Sequence, residues 1–320
     1  MIQSAETPPP LLPWNRPSIG KEEIAEVVEV ITPSLTFCAA PNALMQVGAR
    51  PVFVDVEPVT FNIDPEAAKA AITDRTKAIV VMHYGGHPCD LRAFRKLAND
   101  YEDAAHALHA SRDGQRAGSV GDLTVFSFYA NKVLAGRGEL VQRARLLGRH
   151  GIDSSVWQRH GSQSTADYEV IVPGLKYVMP DVTAAIGVHQ FAKLPAFTAR
   201  RAEIAAAYTL ALADLPGLAT PIVLPGVEHG WFLYSIVIDP SSSPLTRDQA
   251  AERLRTEHKI STSQHFRPVH TLQVYIGTAD RPLPVTETAA ARQLSLPCYQ
   301  AMPDQHVERV ITAVRALWGR

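Results

Sequence analysis

The sequence predicts an α/β protein: a mostly parallel sheet with helices on both faces, then a smaller C-terminal α+β domain. Two observations carry this expectation. Short apolar runs with strand character alternate with helical stretches through the first 130 or so positions, the pattern of a buried parallel sheet. After about residue 150 the character changes, and a long alanine-rich helix from Leu194 to Leu215 is placed to join two units. The 320 residues, 46% hydrophobic and 20% charged, can bury one large core and a second smaller one. The expected division is 1–193 and 194–320.

The elements follow in order. Residues 1–17 read as an extended proline-rich arm. Ile24, Val27, Val28 and Ile31 recur at one-face helical spacing, which predicts a helix over Lys21 to Ile31. Pro51 to Val56 reads as a buried strand, and Asp64-Pro65 supplies an N-cap and a first-turn proline. Ala78 to His83 is a second strand, followed by a Gly85-Gly86 turn and a helical stretch near Leu91 to Ala98. Leu123 to Phe128 is a third. Asp153 to Ile171 is polar and loop-like. In the C-terminal part, Trp231 to Ile238 reads as a strand and Thr246-x-x-Gln249 as a capping box. The last helix sets Val307, Val310, Ile311 and Val314 on one face.

Bulk properties exclude several function classes. A formal net charge of -1 offers no basic field for nucleic acid or anionic lipid. No apolar run approaches membrane-spanning length. Three scattered cysteines without a Cys-x-x-Cys spacing argue against a disulfide framework and fit a reducing compartment, so the cytoplasm is expected. Asp103, His106 and His109, or His83, His87 and Cys89, could ligate zinc in principle. Neither trio has an established ligand spacing, so no metal site is expected. Gly-x-Ser-x-Gly and Gly-x-Gly-x-x-Gly are both absent, which removes the signatures of a serine hydrolase and a dinucleotide fold.

The chemistry concentrates in Glu102 to His106 and in Phe126 to Lys132. Singly, Glu102-Asp103 reads as a helix-start pair and Lys132 as a solvent-facing lysine. Together, a carboxylate and a lysine delivered by separate loops to one pocket are what pyridoxal phosphate chemistry requires. The amine joins the cofactor aldehyde, and the carboxylate keeps the pyridine nitrogen protonated.

A series of further stretches, in one order along nearly the whole chain, resembles the DegT/DnrJ/EryC1/StrS sugar-nucleotide aminotransferases. They include Arg16 to Ile24, Ile31 to Phe37, Gly48 to Val56, Thr76 to Gly86, Glu102 to Ala110, Gly118 to Phe128, Asp181 to Gln190, Ser261 to Tyr275 and Leu294 to Met302. The resemblance implies fold type I of the pyridoxal phosphate enzymes and a homodimer with shared active sites. It implies that Lys132 is the catalytic lysine and Asp103 the partner of the pyridine nitrogen. His106 would lie near the cofactor's ring oxygen if a helix starts at Asp103. Ser127 matches a phosphate ligand and Phe37 an aromatic covering the ring. The stretch around His265 and Arg267, with Pro173 to Tyr177, is most like the branch acting on UDP-4-keto sugars. It makes Lys176, Tyr177, His265 and Arg267 the substrate-binding candidates. A sister branch that dehydrates sugars has histidine in place of the lysine, so Lys132 favours transamination with L-glutamate as donor.

The sequence also departs from the family. The block between the first helix and Ile31, which normally holds a Ser-Gly-Thr-type phosphate turn, is missing. The strand delivering the aspartate is expected to be lost, with only Leu97 to Tyr101 in its place. The turn and strand after Lys132 shrink to Gly136 to Glu139, and Val178 replaces a common asparagine. These losses predict a sheet cut through its centre. They set a second hypothesis beside the enzyme: a non-catalytic remnant that keeps a dimer or sugar-nucleotide surface without cofactor.

Overall fold

The computed structural model describes residues 28–97, 100–127, 132–136, 138–152 and 169–320. The proline-rich arm, the segment 128–131 and most of the loop expected over Asp153 to Ile171 lie outside the described residues.

The first half builds one six-stranded sheet in the order β2-β1-β3-β4-β7-β8. Its strands are β1 (Glu29–Pro33), β2 (Arg50–Val54), β3 (Thr76–Met82), β4 (Asp100–Asp103), β7 (Leu123–Ser127) and β8 (Lys132–Gly136). The first five are parallel, and β8 runs antiparallel to β7. Among the described residues, helices α1 (Ala39–Gln46), α2 (Pro65–Lys69) and α3 (Leu91–Arg95) connect the early strands. Asp64 caps α2 as its spacing predicts, accepting the Glu66 N–H at 2.9 Å. Ile31, Val52, Val54, Ile79, Val81 and Phe94 form one core against the sheet.

Three sequence expectations are corrected here. Glu29 to Pro33 is a strand, not the end of a helix. Its five residues are all buried, and it pairs on both sides with β2 and β3. A strand buried on both faces has no helical stripe to report, and the β-branched Val30, Ile31 and Thr32 suit a pleated surface. The strand that carries Asp103 is present as β4, in register with β3 and β7. The strand after Lys132 is present as β8. The sheet is therefore continuous: the shortened segments lengthen no gap, because strand formation starts at once from Asp100 and from Lys132.

Beyond β8 come α4 (Gly138–Leu147), α5 (Asp181–Ala192) and α6 (Leu194–Leu212). A second sheet, ordered β12-β11-β9, is antiparallel and comprises β9 (Leu218–Ala219), β11 (Tyr234–Ile238) and β12 (Gln293–Leu296). Helices α6, α7 (Arg247–Thr256) and α8 (Asp304–Leu317) cover it, burying Tyr208, Tyr234, Ile236, Leu254, Val310 and Val314. The capping box at Thr246 and Gln249 forms as expected. The strand expected from Trp231 starts only at Tyr234, because Trp231 turns the chain with φ +46°. A small sheet joins the halves: β10 (Val227–Glu228) pairs with β5 (Ser111–Arg112), which pairs with β6 (Gln115–Arg116).

Candidate active site

Asp103 is the last residue of β4, opposite Met82 of β3 and Val125 of β7. The carboxyl ends of parallel strands are where open α/β sheets gather ligand-binding loops. Asp103 is half-buried, and its Oδ1 accepts the Ala105 N–H at 3.1 Å. That bond closes a local turn. The Ala104 N–H then goes to the Val125 carbonyl at 2.9 Å, and Ala107 N–H to the Ala104 carbonyl at 3.0 Å. The expected helix from Asp103 therefore does not form, and His106 is placed by a turn instead. An aspartate side chain that bonds the backbone two residues ahead competes with helix initiation.

Its neighbour Glu102 is fully buried and serves the scaffold. Gly118 N–H donates to Oε2 at 2.7 Å, Gly121 N–H donates to Oε1, and His83 Nε2 lies 3.2 Å from Oε2. Burial opposes its charge, but the His83 contact and the two backbone donors prevail and hold its carboxyl below the usual range. Glu102 thus ties β3 and β4 to the turn that enters β7.

Ser127 ends β7, and its register partner on β8 is Lys132. Asp103 stands beside Val125, two residues before Ser127. From strand spacing and rise, the Cα atoms of Asp103 and Lys132 are separated by roughly 12 Å along this edge.

An aromatic cluster lies over the turn after β4. The His106 imidazole stacks on Phe232, centroids 4.1 Å apart and planes 13° from parallel, and on Phe266 at 5.8 Å and 21°. Phe37, exposed at the end of the segment that follows β1, lies 6.0 Å from Phe266. Phe266 thus joins two of the sequence-predicted cofactor residues. The sequence reading named its neighbours His265 and Arg267 and passed over it. Its segment is clamped at both ends. The buried Tyr84 hydroxyl donates to the His265 carbonyl and lies 2.5 Å from Gln293 Oε1. Ser34 Oγ meets His270 Nδ1 at 2.7 Å, and its carbonyl accepts Val269 N–H at 2.9 Å.

The predicted substrate residues are dispersed. His265 is half-buried with Nδ1 2.9 Å from Ser295 Oγ, and burial lowers its pKa. It lines a cavity of about 540 Å³ with Phe232, Lys259 and Tyr299. Arg267 is exposed and folds back on Thr271, donating to Oγ1 at 3.2 Å and to the carbonyl at 2.9 Å. Lys176 bridges to Arg149, and Tyr177 is 80% exposed. A second cavity, about 490 Å³, runs along the seam between Phe61, Tyr84, His87 and His229. Neither cavity is lined by Asp103 or Ser127.

Of the trio His83, His87 and Cys89, two members are otherwise engaged. His83 faces Glu102 and its Nδ1 accepts Cys89 N–H at 3.0 Å, while Cys89 Sγ donates to the Met82 carbonyl. Among the described residues no group of three or more such side chains is arranged to hold a metal ion.

The donor set fits pyridoxal phosphate at the ring: a half-buried carboxylate for the nitrogen, aromatics beside it, and a lysine position on the same sheet edge. At the phosphate end, Ser127 is the donor that the sequence supplies.

Comparison with known proteins agrees. The model of the DegT/DnrJ/EryC1/StrS aminotransferase family matches residues 20–315. The spore coat polysaccharide biosynthesis protein SpsC of Bacillus subtilis (strain 168) is 41% identical over 304 residues, 90% of this chain and 78% of that protein. The crystal structure of the aminotransferase TlmJ from Streptoalloteichus hindustanus matches with a TM-score of 0.81 at 36% identity, covering 91% of this chain and 79% of that one. DesI, solved in the presence of its TDP-sugar product, matches with a TM-score of 0.81 at 35% identity, covering 92% and 76%. The chain belongs to the DegT/DnrJ/EryC1/StrS aminotransferase family, its fold is that of the type I pyridoxal phosphate enzymes, and pyridoxal phosphate is the family's cofactor.

Proposed function

We propose that this family member is a working transaminase, moving an amino group from L-glutamate to C4 of a nucleotide-linked keto sugar. The product would feed a cell-surface glycan, a lipid A-type structure or an antibiotic sugar. The observation that carries the reading is the alignment of Asp103, Ser127 and Lys132 on one sheet edge, the carboxyl end of β4 and β7. Similarity to DesI, solved in the presence of its TDP-sugar product, and to a polysaccharide-biosynthesis protein supports the substrate class.

When bound, the cofactor supplies an aldehyde to take the amino group and a ring to accept an electron pair. Asp103 holds the proton on the ring nitrogen, which makes the ring an electron sink. The Lys132 amine would take the proton from the amino acid's α-carbon as general base and hold it for return as general acid. Ser127 binds the phosphate. Phe37 and Phe266 would exclude water from the ring, and His106 would bind at its oxygen. The same residues would serve the keto sugar in the second half-reaction. His265 and Arg267 face the sugar nucleotide in one protomer, and Lys176 and Tyr177 reach it from the other.

A homodimer suits the surface. None of the twelve residues of α5 is buried, although Val182, Ile186, Val188 and Phe191 are large and apolar. An apolar helix left bare on a protomer fits a second copy. No helix of the described residues is long and apolar enough to cross a membrane. The cytoplasm, where nucleotide sugars and glutamate meet, is the proposed compartment.

The test is an assay of the purified protein with L-glutamate, pyridoxal phosphate and a panel of UDP-, dTDP- and GDP-linked keto sugars. Formation of 2-oxoglutarate that depends on one of the 4-keto sugars is the expected result. A protein that stays colourless and unreactive with every sugar is the non-catalytic remnant instead.

A further inference from the structure

Arg201, on α6, is a half-buried guanidinium with no carboxylate at ion-pair distance among the described residues. Burial lowers its pKa. Such a charge is costly to bury unless its donors are used. They are spent on the loop of Trp231 and Phe232 and on Gln300. Nη1 donates to the Trp231 carbonyl at 3.2 Å and lies 3.5 Å from the Phe232 carbonyl. Nη2 donates to Gln300 Oε1 at 3.1 Å. The guanidinium carbon also stands 6.0 Å from the Phe232 ring centroid, within cation-π range.

The loop it grips presses on the turn after Asp103. Gly230 N–H donates to the Gly86 carbonyl at 2.8 Å, and a Cβ on Gly230 would come within 3.3 Å of the His106 carbonyl. Phe232 then lies flat against the His106 ring. The other ring near it, Phe266, is farther away and more tilted.

We infer that Arg201 and Phe232 are positioning residues for His106: the arginine fixes the loop, and the phenylalanine sets the imidazole plane. The C-terminal half of the chain would thereby set the geometry beside the cofactor ring oxygen, without touching the cofactor. The inference rests on the proposed placement of His106 next to that oxygen. A flat stack restrains the imidazole to one plane, with its nitrogens at the ring edge.

The experiment uses the full chain carrying Phe232→Leu, Phe232→Tyr, Arg201→Met or Arg201→Lys, with two readouts beside activity. In the cofactor-free protein, the His106 ring C–H signal, assigned with His106→Gln, reports the stack through the ring current of Phe232. Phe232→Leu and Arg201→Met should shift it toward the position of an unstacked histidine, and Phe232→Tyr should restore it. Titration with pyridoxal phosphate should then give a dissociation constant about fivefold to twentyfold weaker for Phe232→Leu and Arg201→Met. The midpoint of the pH-dependent visible band should move, and Phe232→Tyr and Arg201→Lys should recover part of both changes. A His106 signal unchanged in both variants overturns the inference. So does a lower melting temperature with unchanged cofactor affinity and band midpoint, which would leave the two residues a purely structural role. If the wild-type protein shows the ring-current shift but binds no pyridoxal phosphate, the clamp stands as geometry. In that case the transaminase reading fails, and with it the role assigned to the clamp.

Discussion

Ser127 and Lys132 are register partners across the antiparallel pair of β7 and β8, with four intervening residues outside the described set. The pairing fixes how far the predicted phosphate ligand stands from the predicted catalytic lysine. In the proposed function Ser127 is the phosphate donor, and if the family's phosphate turn is missing its hydroxyl would carry a larger share of that binding than beside a full set of donors. Ser127→Ala should weaken pyridoxal phosphate binding by about tenfold to a hundredfold, the worth of one hydrogen bond to a charged group. Equilibrium titration of the cofactor-free protein measures it.

Asp103→Asn keeps the shape of the side chain and removes its charge. Cofactor attachment should persist, while the rate of the first half-reaction with glutamate should fall about a hundredfold or more, as for loss of one preorganised electrostatic contact. Single-turnover absorbance separates the two. A variant that reacts at the wild-type rate would remove Asp103 from its proposed role.

His87 and His229 give the fold an acid limit. Burial pulls His87 down to about 4 and His229 to about 3, and their rings are 5.6 Å apart. The unfolded chain takes up these protons near the ordinary 6.5, before the folded protein does. Stability should therefore fall as pH drops from about 6.5 toward 4, by at most about 1.4 kcal/mol per pH unit for each histidine. Urea unfolding at pH 7 and pH 5 reads the difference, and His229→Gln should flatten the slope.

Gly86 occupies φ +101°, and a Cβ there would meet Trp231 N at 2.9 Å, His106 O at 3.0 Å and Gly230 C at 3.1 Å. All three are backbone atoms, so no side chain can swing away. Gly86→Ala should cost about 2–4 kcal/mol and disturb the seam on which His106 rests. Gly277, with φ +81° and open space around it, should cost less on the same change.

Much of this architecture was legible in the residues. Asp64-Pro65, the Ala78 to His83 run and Thr246-x-x-Gln249 carry local signals whose physics is complete within a few positions, and each formed where expected. Glu29 to Pro33 and Asp100 to Asp103 were misread because their strand character comes from neighbours on both sides. A strand paired and buried on both faces shows no alternation, and Asp100 to Asp103 has little apolar content to announce it. The same limit hid the aromatic cluster. Phe232 and Phe266 look like ordinary core residues until the fold brings them to His106 from positions more than a hundred residues away. Tyr84, which anchors the Phe266 segment, was visible only as part of a glycine turn.

The most direct measurement incubates the purified protein with pyridoxal phosphate, reduces it with borohydride and maps the modified peptide by mass spectrometry. The account predicts a yellow protein before reduction and a single phosphopyridoxyl group on Lys132 afterwards, lost in Lys132→Ala. A colourless protein with Lys132 unmodified would contradict it.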